Sequence, residues 1–157
     1  MQPFRTFLRI IHRMRRYPSV CAELIKTDMS TLSNSSLPRL LVIDDESGIC
    51  LAVSLLLQDL FQVVTAETAE EGLARLTDSY ALILLDLRMP GVVGFDLLET
   101  ILSRVEHTPV AILSATGDRR TYDEVLQRGA VALIEKPFSR LELVTKIQQI
   151  LAVPAQS

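Results

Sequence analysis

The chain has 157 residues, 48% of them hydrophobic and only 5% aromatic, with no Trp and a net charge of -3. That length suits one globular domain plus some surplus, with a core of Leu, Ile, Val and Ala rather than rings. The charge is uneven: residues 1–28 sum to +4 and residues 29–157 to -7, so the body is too acidic for bulk nucleic-acid binding, and no direct DNA contact is expected of it.

Residues 1–20 are basic and free of acids. On a helix, Phe4, Phe7, Leu8, Ile11 and Met14 form one apolar stripe, which Pro18 would end. Such a segment suits an anionic membrane surface, a partner-binding helix or a transit-like peptide. The favoured reading is plainer, that residues 1–28 are not translated in the native protein and Met29 is the start. Residues 30–38 are a polar linker with little reason to fold. The expected organisation is therefore an extension and linker over 1–38, a folded domain over 39–152 and a short tail over 153–157. Cys21 and Cys50 make no CxxC pair and read as reduced thiols of a cytoplasmic protein. The longest uncharged apolar run, near Gly48–Leu57, is too short to span a bilayer.

From Leu40 onward, short aliphatic runs alternate with segments of helical period. The runs are Leu40–Ile43, Gln62–Thr65, Ala81–Leu85, Val110–Leu113 and Val131–Ile134. Apolar on both faces, they fit parallel strands covered by helices. Between and after them lie helices predicted near Ser47–Leu60, Ala69–Thr77, Gly94–Val105, Arg119–Gln127 and Arg140–Leu151, with Gly129 placed to stop the fourth. Five alternating pairs predict an α/β domain with a parallel sheet.

Polar residues stand where these strands end: Asp44 and Asp45 after the first, Asp86 after the third, Ser114 after the fourth, Lys136 after the fifth. In an open α/β sheet, the carboxyl ends of the strands flank the binding crevice. Three carboxylates gathered there repel one another and call for a cation, and an all-oxygen site suits Mg2+. A carboxylate can attack phosphorus, a lysine can neutralise phosphoryl charge, and a short hydroxyl can bond the new group. Taken singly, each residue has an ordinary reading. The acidic pair can be a solvated strand end or a helix cap, and Asp86 a turn former before Met89-Pro90-Gly91. Ser114 can be a loop residue and Lys136 a solvated lysine. Their joint occurrence at strand ends is what points to chemistry.

These residues resemble the response-regulator receiver family. The matching stretches are Leu41-Val42-Ile43-Asp44-Asp45-Glu46, Leu85-Asp86-Leu87-Arg88-Met89-Pro90-Gly91, Ile112-Leu113-Ser114-Ala115 and Glu135-Lys136-Pro137-Phe138, within about residues 39–152. The resemblance implies a flavodoxin-like five-stranded sheet of order 2-1-3-4-5. It implies a switch that takes a phosphoryl group from a sensor histidine kinase or phosphotransfer protein. Asp86 matches the phosphoacceptor. Asp44 and Asp45 match the acidic pair that binds Mg2+, with Asp45 the likelier direct ligand, and the Arg88 carbonyl matches the third protein ligand. Ser114 matches the switch hydroxyl, Lys136 the phosphoryl-contacting lysine, and Gly94 the glycine that opens the third helix. In the family, phosphorylation remodels the face built by the fourth helix, fifth strand and fifth helix, which then binds a downstream protein.

The sequence departs from the pattern at Leu133, which matches the aromatic switch position, and at Val92-Val93, where the family more commonly has Met-Asp. Arg88 and Thr116 stand where the family tunes the phosphate lifetime. Two other functions compete. A Mg2+-dependent phosphohydrolase would usually carry an acid two residues after its nucleophile, where Arg88 stands, so no enzyme acting on an outside substrate is expected. A phosphorylation-independent binding module is favoured only by Leu133. Little sequence follows the last helix, so the expectation is a stand-alone receiver. Arg119-Arg120 reads as a solvated first turn of the fourth helix.

Overall fold

Each aliphatic run forms a strand and each periodic segment a helix, in strict alternation. In chain order these are β1 (Arg39–Ile43), α1 (Ser47–Leu57), β2 (Gln62–Ala66), α2 (Ala69–Ala74) and β3 (Tyr80–Asp86). There follow α3 (Gly94–Arg104), β4 (Val110–Ser114), α4 (Arg119–Gln127), β5 (Ala132–Glu135) and α5 (Arg140–Ala152). The computed structural model describes residues 37–77, 79–115 and 119–152. The amino-terminal stripe, most of the linker, Cys21, Thr116 and the tail 153–157 lie outside the described residues.

The five strands are parallel, in the order β2-β1-β3-β4-β5, which is the flavodoxin-like order expected. Because side chains alternate across a strand, each strand feeds two cores. Leu41, Ile43, Ile83, Leu85 and Ile112 face one way, against Leu97, Leu98 and Ile101 of α3 and Val125 of α4. Leu40, Val42, Leu82, Leu84 and Leu113 face the other, against Val53 and Leu57 of α1 and Leu143 and Ile147 of α5. Helices on both faces explain why β3 reads as an unbroken apolar run, and all seven of its residues are buried. Full burial of each such Leu or Ile contributes about 1.5–3 kcal/mol, so the sheet is a stiff platform for whatever stands at its rim.

Several boundaries differ from the sequence expectation. Helix α1 stops at Leu57 rather than Leu60. The Leu60 and Phe61 amides both bond back to the Leu57 carbonyl, at 2.9 Å each, which turns the chain so that the Gln62 amide can reach the Pro38 carbonyl and start β2. Helix α2 ends at Ala74 rather than Thr77, with the Arg75 amide shared between the Glu71 and Gly72 carbonyls. Strands β3 and β4 run one residue further than predicted, taking Asp86 and Ser114 into the ladder as partners of Leu113 and Glu135. Strand β5 begins one residue late, at Ala132. Gly129 stops α4 as expected: at φ +99° its amide bonds the Leu126 carbonyl while the Ala130 amide bonds that of Val125. This is the Schellman closure, which places the left-handed residue just past the helix and favours glycine there.

Candidate functional site

The ladder itself assembles the site. The Asp44 amide still bonds the Ala66 carbonyl at 3.0 Å, so the residue after β1 is held in line with the sheet. Asp86 and Ser114 are the last residues of β3 and β4, and the Lys136 amide bonds the Ser114 carbonyl at 2.7 Å. Parallel strands in register therefore end on one rim, and Asp44, Asp86, Ser114 and Lys136 stand there side by side although 92 residues separate the first from the last. Asp44 is 0% exposed and Asp86 4%, Ser114 is buried, and Asp45 is exposed at the mouth. The Lys136–Pro137 peptide is cis.

One lysine serves several acids. Lys136 Nζ lies 2.7 Å from Asp44 Oδ2, 3.1 Å from Glu46 Oε1 and 3.7 Å from Asp86 Oδ2. The Glu46 amide donates to Asp44 Oδ1 at 2.9 Å, and the Arg88 amide donates to the Asp86 carboxylate. Asp44 Oδ2 is buried, and the one partner seen for it among the described residues is the Lys136 ammonium. Asp44, Asp45 and Asp86 each present a carboxylate oxygen, all within 4.8 Å of one another. An oxygen-only donor set with surplus negative charge, two of its three carboxylates buried, fits a hard divalent cation such as Mg2+.

The electrostatics follow from this crowding. Burial raises the Asp86 carboxyl above its ordinary value, opposed by Lys136 and the Arg88 amide and reinforced by Asp44 and Asp45. Burial pulls the Lys136 ammonium down, but hydrogen bonds to Asp44 and Glu46 and the charges of Asp44 and Asp86 outweigh it, and the net shift is upward. Both directions describe a site short of positive charge.

The loop after β3 is shaped by close approach. A Cβ on Gly94 would meet the Leu87 carbonyl oxygen at 2.2 Å, so only glycine lets the start of α3 fold back against the residue after Asp86. Met89 is buried, Val92 packs against the core, and Val93 and Arg88 are exposed. Leu133 is buried in the core shared with α3 and α4, opposite Ile112 in the ladder. Its side chain is already seated among aliphatic neighbours.

Two neighbours of the site escaped sequence reasoning. Glu46 contacts a lysine 90 residues away, and no local signal marks that pairing. Cys50 Sγ donates to the Asp44 carbonyl at 3.4 Å, and burial, then Asp44, pushes its thiol up to about 11. Its only sequence signal is a helical position facing the strand ends. Arg120 is exposed on the outer face of α4 with Asp123 and Gln127, as a solvated turn would be.

Comparison with known proteins agrees with this fold. The family model described as response regulator receiver domain matches residues 40–148. The transcriptional regulatory protein CpxR homolog of Haemophilus influenzae is 37% identical over 114 residues, covering 72% of this chain and 50% of that protein. The chain thus spans about half the length of the curated relatives it matches. A response regulator receiver domain protein from Clostridium thermocellum is 33% identical with a TM-score of 0.66, covering 73% of this chain and 94% of that one. The chemotaxis protein CheY4 of Vibrio cholerae is 28% identical with a TM-score of 0.67, covering 73% and 98%. Among the described residues, no helix is long and apolar enough to cross a membrane.

Proposed function

This chain belongs to the response-regulator receiver family, whose general function is phosphorylation-mediated switching in two-component signalling, and on that premise we propose that Asp86 is its phosphoacceptor. The observation that carries the proposal is the meeting of Asp44, Asp86 and Lys136 at one sheet rim, with Lys136 within reach of both carboxylates.

In the proposed reaction, an Asp86 carboxylate oxygen attacks the phosphorus of a phosphohistidine on a sensor kinase or phosphotransfer protein. The new P–O bond forms as the P–N bond breaks, and the electron pair returns to the imidazole nitrogen, which takes a proton from solvent. The Lys136 ammonium neutralises charge on the phosphoryl oxygens, and the Ser114 hydroxyl donates a hydrogen bond to them. Asp44, Asp45 and Asp86, with the Arg88 carbonyl, would hold Mg2+, which supplies further charge neutralisation at the phosphoryl group. The chain catalyses only its own phosphorylation and dephosphorylation, in the cytoplasm. It signals by protein–protein contacts of the α4–β5–α5 face with a downstream protein, and the receiver itself makes no contact with DNA.

Leu133 favours a second reading, a phosphorylation-independent binding module. An aliphatic side chain already seated in the core has no ring to swing inward, so output on the first reading relies on repacking around Leu133.

Intact mass after incubation with acetyl phosphate and Mg2+ tests the proposal. The expected result is one added phosphoryl group in the wild type, none in Asp86→Asn, and a strongly slowed gain in Asp45→Asn or without Mg2+. An unchanged wild-type mass, with a histidine phosphodonor also failing, would leave the constitutive binding module.

A further inference from the structure

We propose that Glu46 is a positioning residue that holds Lys136 on the β1–α1 side of the site, away from Asp86, so that the lysine must exchange carboxylates before it can serve a phosphoryl group. The inference rests on the phospho-switch reading above and adds to it a residue that sets how readily the switch loads.

The geometry is one-sided. The Lys136 side chain is 9% exposed, so its ammonium cannot retreat into solvent, and three carboxylates compete for it. Asp44 and Glu46, at 2.7 and 3.1 Å, are the near pair, and Asp86, at 3.7 Å, is the far one. Asp44 and Asp86 are buried at strand ends and cannot move away. Glu46 differs, with a side chain 62% exposed on the segment between β1 and α1. It is the N-cap of α1, with extended backbone (φ -81°, ψ 98°), yet its side chain makes no cap hydrogen bond. Glu is long for that role, which shorter Asp, Asn and Ser fill best. Its carboxylate is spent on Lys136 instead.

A charge-assisted contact that must break before the lysine can turn to Asp86 adds to the cost of reaching the transition state. Removing it leaves Lys136 with Asp44 and Asp86, so the ammonium shifts toward the attacking oxygen. An exposed carboxylate at the rim also repels an anionic phosphodonor, and a shortened side chain separates the two effects. Glu46→Ala removes both charge and reach. Glu46→Asp keeps the charge at the rim but falls one methylene short of Lys136, and its carboxylate is suited to cap α1.

The test is the rate of Asp86 phosphorylation by acetyl phosphate with Mg2+, followed by intact mass in wild type, Glu46→Ala and Glu46→Asp. Both variants are expected to load about three- to fivefold faster than wild type, the scale of one exposed charged contact. Acceleration in Glu46→Ala alone assigns the effect to rim charge and overturns the proposal. Wild-type rates in both variants, or slower loading in either, overturn it as well. Absence of the adduct in wild type sinks the phospho-switch reading and this inference with it, an outcome distinct from the others because it shows before any variant is compared.

Discussion

Two cations in this molecule each gather several partners, and they do so under opposite conditions. Arg128, just past α4, lies 4.3 Å over the Phe95 ring and pairs with Glu99 at 2.7 Å and Glu124 at 3.3 Å. Its side chain is 36% exposed, and both carboxylates stand in solvent. Water shares the work of solvating every charge there, so the cluster ties α3 to α4 with no demand for anything further. At the other cluster Lys136 meets Asp44, Glu46 and Asp86, with Asp45 close by, and the central groups are buried. Four carboxylates against one ammonium, with Asp44 and Asp86 out of water and Asp45 and Glu46 at the mouth, make a site whose charge is unfinished. Similar residue types thus give a surface clamp in one place and a site short of positive charge in the other, and the difference is burial and charge balance.

The contrast can be broken by experiment, and the largest effect belongs to the buried side. Lys136→Ala should cost about 3–5 kcal/mol in urea denaturation at neutral pH, because it strands Asp44 and Asp86 without a counter-charge. The raised lysine value sets the pH window: its contribution is fully present below the ordinary value of 10.5 and is lost only as pH climbs through the higher folded-state value. A loss below ~1 kcal/mol would make Lys136 no different from a surface lysine.

The next effect has the opposite sign. Asp86 has a folded-state value raised above the ordinary 3.8, so wild-type stability from this group is present below that value and is lost as pH rises through the folded value. Asp86→Asn should therefore melt higher than wild type at neutral pH, and the gap should close as the pH falls toward 3.8. Thermal melts of the two proteins across this range check it, and a constant gap would mean that Asp86 is not strained by burial.

The smallest effect is at the surface clamp. Arg128→Ala should cost at most about 1 kcal/mol, and the cost should shrink in high salt, since exposed ion pairs are screened. A larger, salt-insensitive loss would mean that the stacking on Phe95 is the main term.

The split between what was legible in the sequence and what was not falls along the same line. Asp44, Asp45, Asp86, Ser114 and Lys136 could be read as one group because each follows an aliphatic run, and parallel strands end together. The boundaries were less legible. Nothing in Gln58, Asp59 and Leu60 forbids helix, and α1 stops at Leu57 only because the chain must return to pair with Pro38. Arg128 resting on Phe95 and Glu46 holding Lys136 were invisible, since both join residues far apart in the chain.

Alternating aliphatic runs and helical periods were enough by themselves to determine a parallel α/β sheet, because a strand buried on both faces has no other way to cover itself. The order of acids, hydroxyl and lysine was likewise enough to name the candidate site. Tertiary structure alone decided where Lys136 rests among its carboxylates, that Asp44 is fully buried beside it, and that Leu133 is already seated in the core. Those outcomes depend on distances of a few ångströms between side chains brought together by the ladder, and electrostatic energy at such range is set by position and burial rather than by residue type.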